Sequence, residues 1–376
     1  MRLRVAVDAT PLLRRPTGVG GVTRALLERL GRRSDVAAVA FAVSWTGRGH
    51  LAELLPPGVT TVGRPMAARP LRALWHRVNW PPIELWTGAV DVVHGPNFVV
   101  PPSRRAARVV TVHDLTAVRF PELCTADVLA YPDLLGRALA SGAWAQVPSA
   151  AVAEEVLEHF AVPTDHVVVV ANGVDDVPTA PEGAGRARAG RERYILALGT
   201  LEPRKDLPTL VAAFDAAAND DPDVGLVLAG ADGWGAEAVH TAVANSAHRE
   251  RIRITGWLDD QARAALLREA TVLAYPSLYE GFGLPPLEAM GVGVPVVATR
   301  VGALPEVLGD AADLVPPSDV DALAEALVRV LTDEAHRAAM VVRGHRRADR
   351  YSWEAHADGL VALYRRAAAS APGAAP

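Results

Sequence analysis

A chain of 376 residues is long enough for about two domains, each with its own core, and 50% hydrophobic with 22% charged residues is ordinary globular composition. The net charge of −5 argues against nucleic acid as the main partner, because phosphate-backbone recognition needs a basic face. The single cysteine, Cys124, excludes an intrachain disulfide, sits in no metal-ligand pattern, and fits a reducing compartment as a small, partly buried residue.

The opening, MRLRVAVDATPLLRR, carries basic residues around an apolar run that Asp8 interrupts, so Leu3–Val7 is predicted as a first strand and not a signal peptide. No uninterrupted apolar segment approaches the ~18 residues a membrane span needs, so a soluble, cytoplasmic protein is expected. The stretch Thr17-Gly18-Val19-Gly20-Gly21 falls between strand and helix, where glycine lets backbone amides approach an anion. It is not G-x-G-x-x-G, and it lacks the Gly-Lys-Ser/Thr ending of a nucleotide-hydrolase loop. Val36–Val43 and Val90–His94 read as further strands. Between them, Arg69–Trp86 sets Trp75, Trp80 and Trp86 among Arg72, His76 and Arg77. The preferred reading is a loop and helix on the rim of the N-terminal half; the alternative is a surface for a membrane or a lipid-linked acceptor. The loops Trp45–His50 and Arg64–Trp86 carry no decodable ligand signature. The strand Arg108–His113 delivers His113 and Asp114 to a carboxyl end, where ligands of parallel sheets bind. A histidine there can hydrogen-bond a sugar or steady charge, and it titrates near neutrality.

After the strand Val167–Ala171 comes Asn172–Arg191, NGVDDVPTAPEGAGRARAGR, rich in Gly, Pro, Ala and charge, which reads as an interdomain linker. A second series of strands follows: Tyr194–Leu198, Gly225–Ala229, Arg251–Thr255, Thr271–Tyr275, Pro295–Ala298 and Asp313–Val315. Helical patterns such as Leu207–Ala218 and Asp259–Glu269 separate them. Such alternation means βαβ units and parallel sheets covered on both faces. The predicted class is α/β, with two Rossmann-like domains facing across a cleft: residues 1–171, a linker 172–191, residues 192–350, and a C-terminal helical segment 351–376. Its end, SAPGAAP, is expected to be disordered.

Two motifs carry the chemistry. GTLEPRKDLPTLVAAF places Arg204 and Lys205 in the loop after the first strand of the C-terminal half, where adjacent cations can neutralise a diphosphate as leaving group. Asp206 or Thr209 is expected to cap the helix that follows. YEGFGLPPLEAMGVGVPVVAT sets Glu280 and Glu288 with seven residues between them, around a Gly-Phe-Gly turn and two prolines suited to a first helical turn. The amides of Gly283 and Leu284 would then face a phosphate at a helix N-terminus. One carboxylate can reach a sugar's hydroxyls while the other holds a ribose diol. Asp221-Pro222-Asp223 and Asp319-Val320-Asp321 spell Asp-x-Asp, but a polar turn and helix capping account for them, and no metal is expected.

The order strand, Glu280, Gly-Phe-Gly, Pro, Glu288, Gly, strand resembles the Glu-x7-Glu motif of retaining family 4 glycosyltransferases, with the glycosyltransferase B fold and a mannosyltransferase-like Arg-Lys pair. The resemblance covers nearly the whole chain and is strongest from Asn172 onward. It implies a retaining hexosyltransferase, mannose being the favoured sugar, that moves the sugar from a nucleotide-diphosphate donor, GDP- or UDP-linked, to a hydroxyl of a glycan, lipid-linked or small-molecule acceptor, with no cofactor. It assigns Arg204 and Lys205 to the donor pyrophosphate, Glu280 with Gly281, Phe282, Gly283 and Leu284 to sugar and phosphate, and Glu288 to the ribose. Gly256, Trp257 and Leu258 would flank the base, Gly20 would approach the donor phosphate, and His113 would sit beside the transferred sugar with Asp114 on the acceptor side. Family members usually carry Arg directly after the glycine, where this chain has Thr200. Glu306 is read as structural. The last helix is expected to cross back onto the N-terminal domain, and peripheral contact at the inner face of the membrane is the alternative to a purely cytoplasmic location. A nucleotide-sugar epimerase and a non-catalytic sugar-nucleotide-binding subunit stay open as other readings.

Overall fold

The computed structural model describes residues 2–13, 18–46, 48–219 and 221–371; Thr17 of the glycine stretch, Arg14 and Arg15 of the opening and Pro372–Pro376 of the tail lie outside the described residues. The chain forms two compact units, Met1–Gly173 with Ser352–Pro376, and Val174–Tyr351.

In the first unit the strands are β1 (Leu3–Asp8), β2 (Val36–Phe41), β3 (Thr60–Thr61), β4 (Val92–Gly95), β5 (Ala107–Thr111), β6 (Trp144–Val147) and β7 (Val167–Val169). They make one parallel sheet in the order β3-β2-β1-β4-β5-β6-β7. Side chains alternate across a strand, so Val5 and Val7 enter one core with Leu26, Leu27 and Leu30, while Ala6 enters the other with Val93, Val110 and Leu135. Covering both faces is why the strands read as near-continuous apolar runs. The helix Trp353–Ala369 belongs to this unit: Leu360, Leu363 and Tyr364 are buried in the same core as Leu26 and Leu30 of the helix Gly18–Arg32. A chain of hydrogen bonds crosses the sheet beneath it. The Tyr364 hydroxyl donates to His94 Nδ1 (2.7 Å), His94 Nε2 to Thr111 Oγ1 (2.8 Å), Thr111 Oγ1 to Gln146 Oε1 (2.7 Å), and Gln146 Nε2 to the Val170 carbonyl (2.8 Å). Because Gln146 donates to Val170, its oxygen accepts from Thr111, so His94 Nε2 carries a proton; burial pulls the imidazole down to a pKa of about 3, which leaves Nδ1 an acceptor for Tyr364.

In the second unit, β8 (Arg193–Leu198), β9 (Val224–Ala229), β10 (Ile252–Gly256), β11 (Val272–Tyr275), β12 (Val296–Thr299) and β13 (Ala312–Val315) form a parallel sheet in the order β10-β9-β8-β11-β12-β13. One of its faces is closed by Leu210, Phe214, Leu327 and Val330 over Ile195, Leu226 and Leu228. Because β9 lies on one side of β8 and β11 on the other, the strand order reverses between β8 and β11, and the loops leaving those two carboxyl ends diverge to leave a crevice.

Two expectations need correction. Residues 174–191 are not a loose linker but part of the second unit, with a short helix, Ala184–Ala189. The Glu269 carboxylate accepts from the backbone N–H of Gly183 (2.6 Å) and Arg186 (2.8 Å), and a Cβ at Gly185 would stand 2.3 Å from the Ala265 carbonyl, so glycine permits the close docking that tertiary contacts then hold. Asp206 adopts a left-handed conformation (φ 44°) and does not cap the next helix by its side chain; its carboxylate accepts from the hydroxyls of Thr209 (2.8 Å) and Ser318 (2.9 Å).

Candidate active site

The loop after β8 and the loop after β11 bring Arg204, Lys205 and Glu280 together at the reversal point. Glu280 is only 7% exposed and so is not a solvated surface acid. Its Oε1 accepts from Lys205 Nζ (2.6 Å) and Ser277 Oγ (2.7 Å) and lies 2.8 Å from an Arg204 guanidinium nitrogen. Oε2 stays outside this set of contacts. Burial pushes the Glu280 carboxyl up, but the charges of Arg204 and Lys205 and the bonds from Lys205 and Ser277 outweigh it and hold the pKa at about 2. Burial pulls the Lys205 ammonium below the usual lysine range against the attraction of Glu280.

Lys205 also donates to the Tyr275 hydroxyl (2.7 Å) and stands 4.5 Å from that ring's centroid. Burial pushes the Tyr275 phenol well above its ordinary pKa, so it remains an O–H group that can receive Lys205. Arg204 is steadied by Glu202 (2.7 Å) and by the Tyr279 carbonyl (2.9 Å). Glu202, Tyr275 and Ser277 were not singled out from sequence. The signal for the last two was present: Tyr275 and Ser277 sit at and just past the carboxyl end of a strand, where ligands of parallel sheets bind. A pocket lined in part by Leu198, Gly199, Lys205, Leu207, Tyr275 and Ser277 opens here.

The helix Leu284–Gly291 begins after Gly283, whose φ of +100° requires glycine; a Cβ there would meet only the tip of the Leu304 side chain closely, at 2.7 Å from Cδ2. Gly302 approaches the Glu280 backbone just as closely, a Cβ there meeting the Glu280 carbonyl at 2.2 Å, while the Ala303 N–H donates to that carbonyl (2.9 Å). The backbone at Glu280 is thus gripped from behind. Phe282 is buried edge-on against Tyr351, with ring centroids 5.5 Å apart, so its side chain packs the core and only its backbone can serve a ligand. Glu288 is half-buried and ion-paired with Arg263, a partner the sequence did not reveal. Gly256 has φ +70° and nothing within 4 Å of where a Cβ would stand, Leu258 is half-buried, and Trp257 is 50% exposed and therefore not a core residue. The Glu306 backbone carbonyl accepts from Arg347. Asp319 caps its helix through the Ala322 N–H (2.9 Å), and Asp221 pairs with Arg193 (2.7 Å).

In the first unit the strand order reverses between β1 and β4. The glycines are not a loop: Gly18–Gly21 form the first turn of the helix Gly18–Arg32, with Gly20 buried and with open space for a Cβ at Gly18 and Gly21. His113, just past β5, donates Nε2–H to the Pro96 carbonyl (2.7 Å) beside the Phe98 ring. A carbonyl only accepts, so Nε2 carries the proton, and burial lowers the imidazole's pKa and keeps it neutral with Nδ1 as an acceptor. Asp114 Oδ1 is committed to the turn that follows, accepting from the Thr116 N–H (2.9 Å) and hydroxyl (2.8 Å).

The Trp-Arg segment is tied together by hydrogen bonds. Trp75 is buried and donates to the Pro81 carbonyl (3.1 Å), Trp86 donates to the Pro65 carbonyl (3.1 Å), and Arg64 donates to the Leu85 carbonyl (2.6 Å). Glu84 Oε1 accepts from the Ser103 hydroxyl (2.6 Å) and the backbone N–H of Arg104 (2.9 Å) and Arg105 (3.1 Å). Val78 (60%), Trp80 (52%) and Leu85 (52%) are left exposed, as are Arg64, Arg69, Arg77, Arg104 and Arg105.

With this geometry in place, the chain matches the family Glycosyl transferases group 1 over residues 184–347 and Glycosyltransferase Family 4 over residues 16–177. It is 34% identical to the O-antigen chain mannosyltransferase B of Escherichia coli over 70% of this chain and 71% of that one. It is 36% identical to the MMP alpha-(1->4)-mannosyltransferase of Mycolicibacterium hassiacum over 59% of this chain, and to the phosphatidyl-myo-inositol mannosyltransferase of Mycobacterium leprae over 54%. The matched stretch spans only about half the length of those two, 53% and 54%. Among solved structures, sucrose-phosphate synthase of Thermosynechococcus elongatus superposes with a TM-score of 0.76 at 21% identity, covering 97% of this chain and 99% of that one. WaaG, a glycosyltransferase involved in lipopolysaccharide biosynthesis, superposes with a TM-score of 0.70 at 16% identity, covering 99% and 100%. No helix among the described residues is long and apolar enough to cross a membrane.

Proposed function

The chain belongs to the group 1 glycosyltransferases, has the glycosyltransferase B fold and is a hexosyltransferase, and from that premise we propose that it transfers mannose from a nucleotide-diphosphate donor to an acceptor hydroxyl with retention of anomeric configuration. The observation that carries this reading is the buried cluster of Arg204, Lys205 and Glu280 at the β8/β11 crevice, a pair of cations held in fixed positions by an ionised carboxylate. The mannosyltransferase relatives support the choice of sugar.

The anomeric carbon–oxygen bond breaks and its electron pair leaves on the diphosphate, whose growing charge Arg204 and Lys205 neutralise. The acceptor oxygen bonds the anomeric carbon on the same face, and its proton passes to the leaving phosphate oxygen. Lys205 has three donors, of which the Tyr275 hydroxyl and Glu280 take two, so one is left for a phosphate oxygen. Glu280 Oε2 accepts from sugar hydroxyls, Glu288 takes the ribose diol, and the amides from Gly281 to Leu284 face the phosphate end of the donor. Gly256, Trp257 and Leu258 flank the base, and Gly20 approaches the donor phosphate. His113 Nδ1 receives a hydroxyl of the transferred sugar, and Asp114 lies on the acceptor side. With two fixed cations at the diphosphate, this scheme uses no metal or other cofactor. The exposed Val78, Trp80 and Leu85, together with the exposed arginines, support a peripheral contact with an anionic membrane surface, the apolar groups entering the headgroup layer and the arginines pairing with phosphates. That contact suits a lipid-linked acceptor.

The test is incubation with GDP-, UDP-, ADP- and dTDP-linked sugars without acceptor, followed by NMR. Slow release of one nucleotide with loss of its sugar is expected, GDP-mannose first. Conversion of the sugar while still attached would mark an epimerase, and a transfer product of inverted configuration would overturn the retaining scheme.

A further inference from the structure

Glu288 does not stand alone. It lies in the helix Leu284–Gly291, and its Oε2 accepts from the guanidinium of Arg263, which lies in the helix Asp260–Glu269. That second helix starts directly after the Gly256-Trp257-Leu258 loop at the end of β10, and its start is fixed by Asp259, whose carboxylate accepts from the Ala262 N–H (2.7 Å). Arg263 is one residue further along, in the same capped first turn. Both partners are partly covered, with side-chain exposures of 31% for Arg263 and 23% for Glu288, so the pair is neither a fully solvated surface contact nor sealed from a ligand. The guanidinium engages Oε2 only, and a carboxylate has lone pairs for further donors on Oε1.

A glutamate on a helix has three rotatable side-chain bonds, and ordering such a side chain on binding costs affinity. A guanidinium bonded to one of its oxygens through a charge-assisted hydrogen bond reduces that freedom beforehand. We infer that Arg263 is a positioning residue for donor selection: by holding Oε2 of Glu288 it leaves Oε1 set for the two ribose hydroxyls, so the preference for ribonucleotide over 2′-deoxyribonucleotide diphosphates depends on the Arg263–Glu288 pair. This rests on Glu288 being the ribose carboxylate. Arg263 touches no reacting atom; it acts through Glu288.

The experiment is calorimetric titration of the full chain with GDP and 2′-deoxy-GDP, and with UDP and 2′-deoxy-UDP. Wild type is expected to favour the ribo form of its nucleotide about tenfold or more, the size of a lost hydrogen bond to a charged group. Arg263→Ala should cut that ratio by roughly threefold or more while changing the affinity for the 2′-deoxy form by about twofold or less. Arg263→Lys should restore part of the ratio, because the cation returns as a compact ammonium in place of the planar guanidinium. In turnover, Arg263→Ala should raise the donor KM more than it lowers kcat. If Arg263→Ala weakens ribo and deoxy forms equally, or leaves the ratio intact while Glu288→Ala abolishes it, Arg263 is a structural residue and the inference is wrong. If Glu288→Ala itself keeps the ratio, the assignment of Glu288 to the ribose fails, and the inference fails with it.

Discussion

In the second unit the buried polar centre is charged: an ionised Glu280 is held by Arg204, Lys205 and Ser277. The first unit's centre is neutral, with His94 wired through Tyr364, Thr111 and Gln146, His113 donating to Pro96, and His356 donating to the Ala171 carbonyl (2.9 Å). The difference matches the tasks proposed for the two units. A diphosphate leaving group needs fixed positive charge, and a buried cation pair needs a carboxylate to be tolerated. Hydroxyls of a sugar or an acceptor need acceptors and donors of modest polarity, such as the neutral imidazole of His113 supplies through Nδ1.

The sharpest way to break the comparison is to remove one charge from the second unit. Lys205→Ala or Glu280→Ala should lower transfer by about 10³-fold or more, measured as kcat/KM, with circular dichroism unchanged in shape. Glu280→Ala should also destabilise the second unit by ~3–5 kcal/mol, because it leaves two buried cations without their partner. Near-normal turnover in either variant would refute the site.

Acid should separate the two units next. The folded pKa of His94 is about 3 and that of His356 about 4, both lowered by burial from 6.5, so the unfolded chain binds the extra protons first. Their stabilisation is full above pH 6.5 and falls as pH drops toward those lower values, by a few kcal/mol in all. Asp8 opposes this in part, since burial raises its pKa. Glu280, lowered from 4.5 to about 2, adds its loss only below pH 4.5. Hydrogen exchange between pH 6.5 and 4.5 should therefore show loss of protection in the first unit before the second, with a shallower slope in His94→Gln. Simultaneous loss in both units would contradict the contrast.

Smaller effects follow. His113→Ala should reduce kcat/KM by roughly 10–100-fold, as the loss of hydrogen bonds to one sugar does, and far less than Lys205→Ala. Trp80→Ser with Val78→Ser should weaken co-sedimentation with phosphatidylglycerol vesicles several-fold and leave binding to free nucleotide unchanged; equal sedimentation of both proteins would rule out the membrane face.

The sheets and the two motifs were legible because parallel strands buried on both faces are written as β-branched runs, and because Glu280, Lys205 and Glu288 lie in short, ordered motifs. The helix Trp353–Ala369 packs in the first unit's core through Leu360, Leu363 and Tyr364. What sequence hid depends on contacts between distant residues. The strand Trp144–Val147 carries Gln146, whose polar side chain is used inside the sheet, and Thr60–Thr61 is too short to show a period. Residues 174–191 look like a linker by composition, and only Glu269 and Ala265, far along the chain, explain why part of them folds. Arg263 looks like any helical arginine until Glu288 is found beside it.

The most direct test of the central claim is the ³¹P NMR spectrum of a bound nucleoside diphosphate, recorded with wild type and with Lys205→Ala. The account predicts that the β-phosphate resonance shifts on binding to wild type and that this shift is lost or greatly reduced in Lys205→Ala. The same β-phosphate shift in both proteins would mean that the diphosphate lies elsewhere, and would contradict the assignment of Arg204, Lys205 and Glu280 as the donor site.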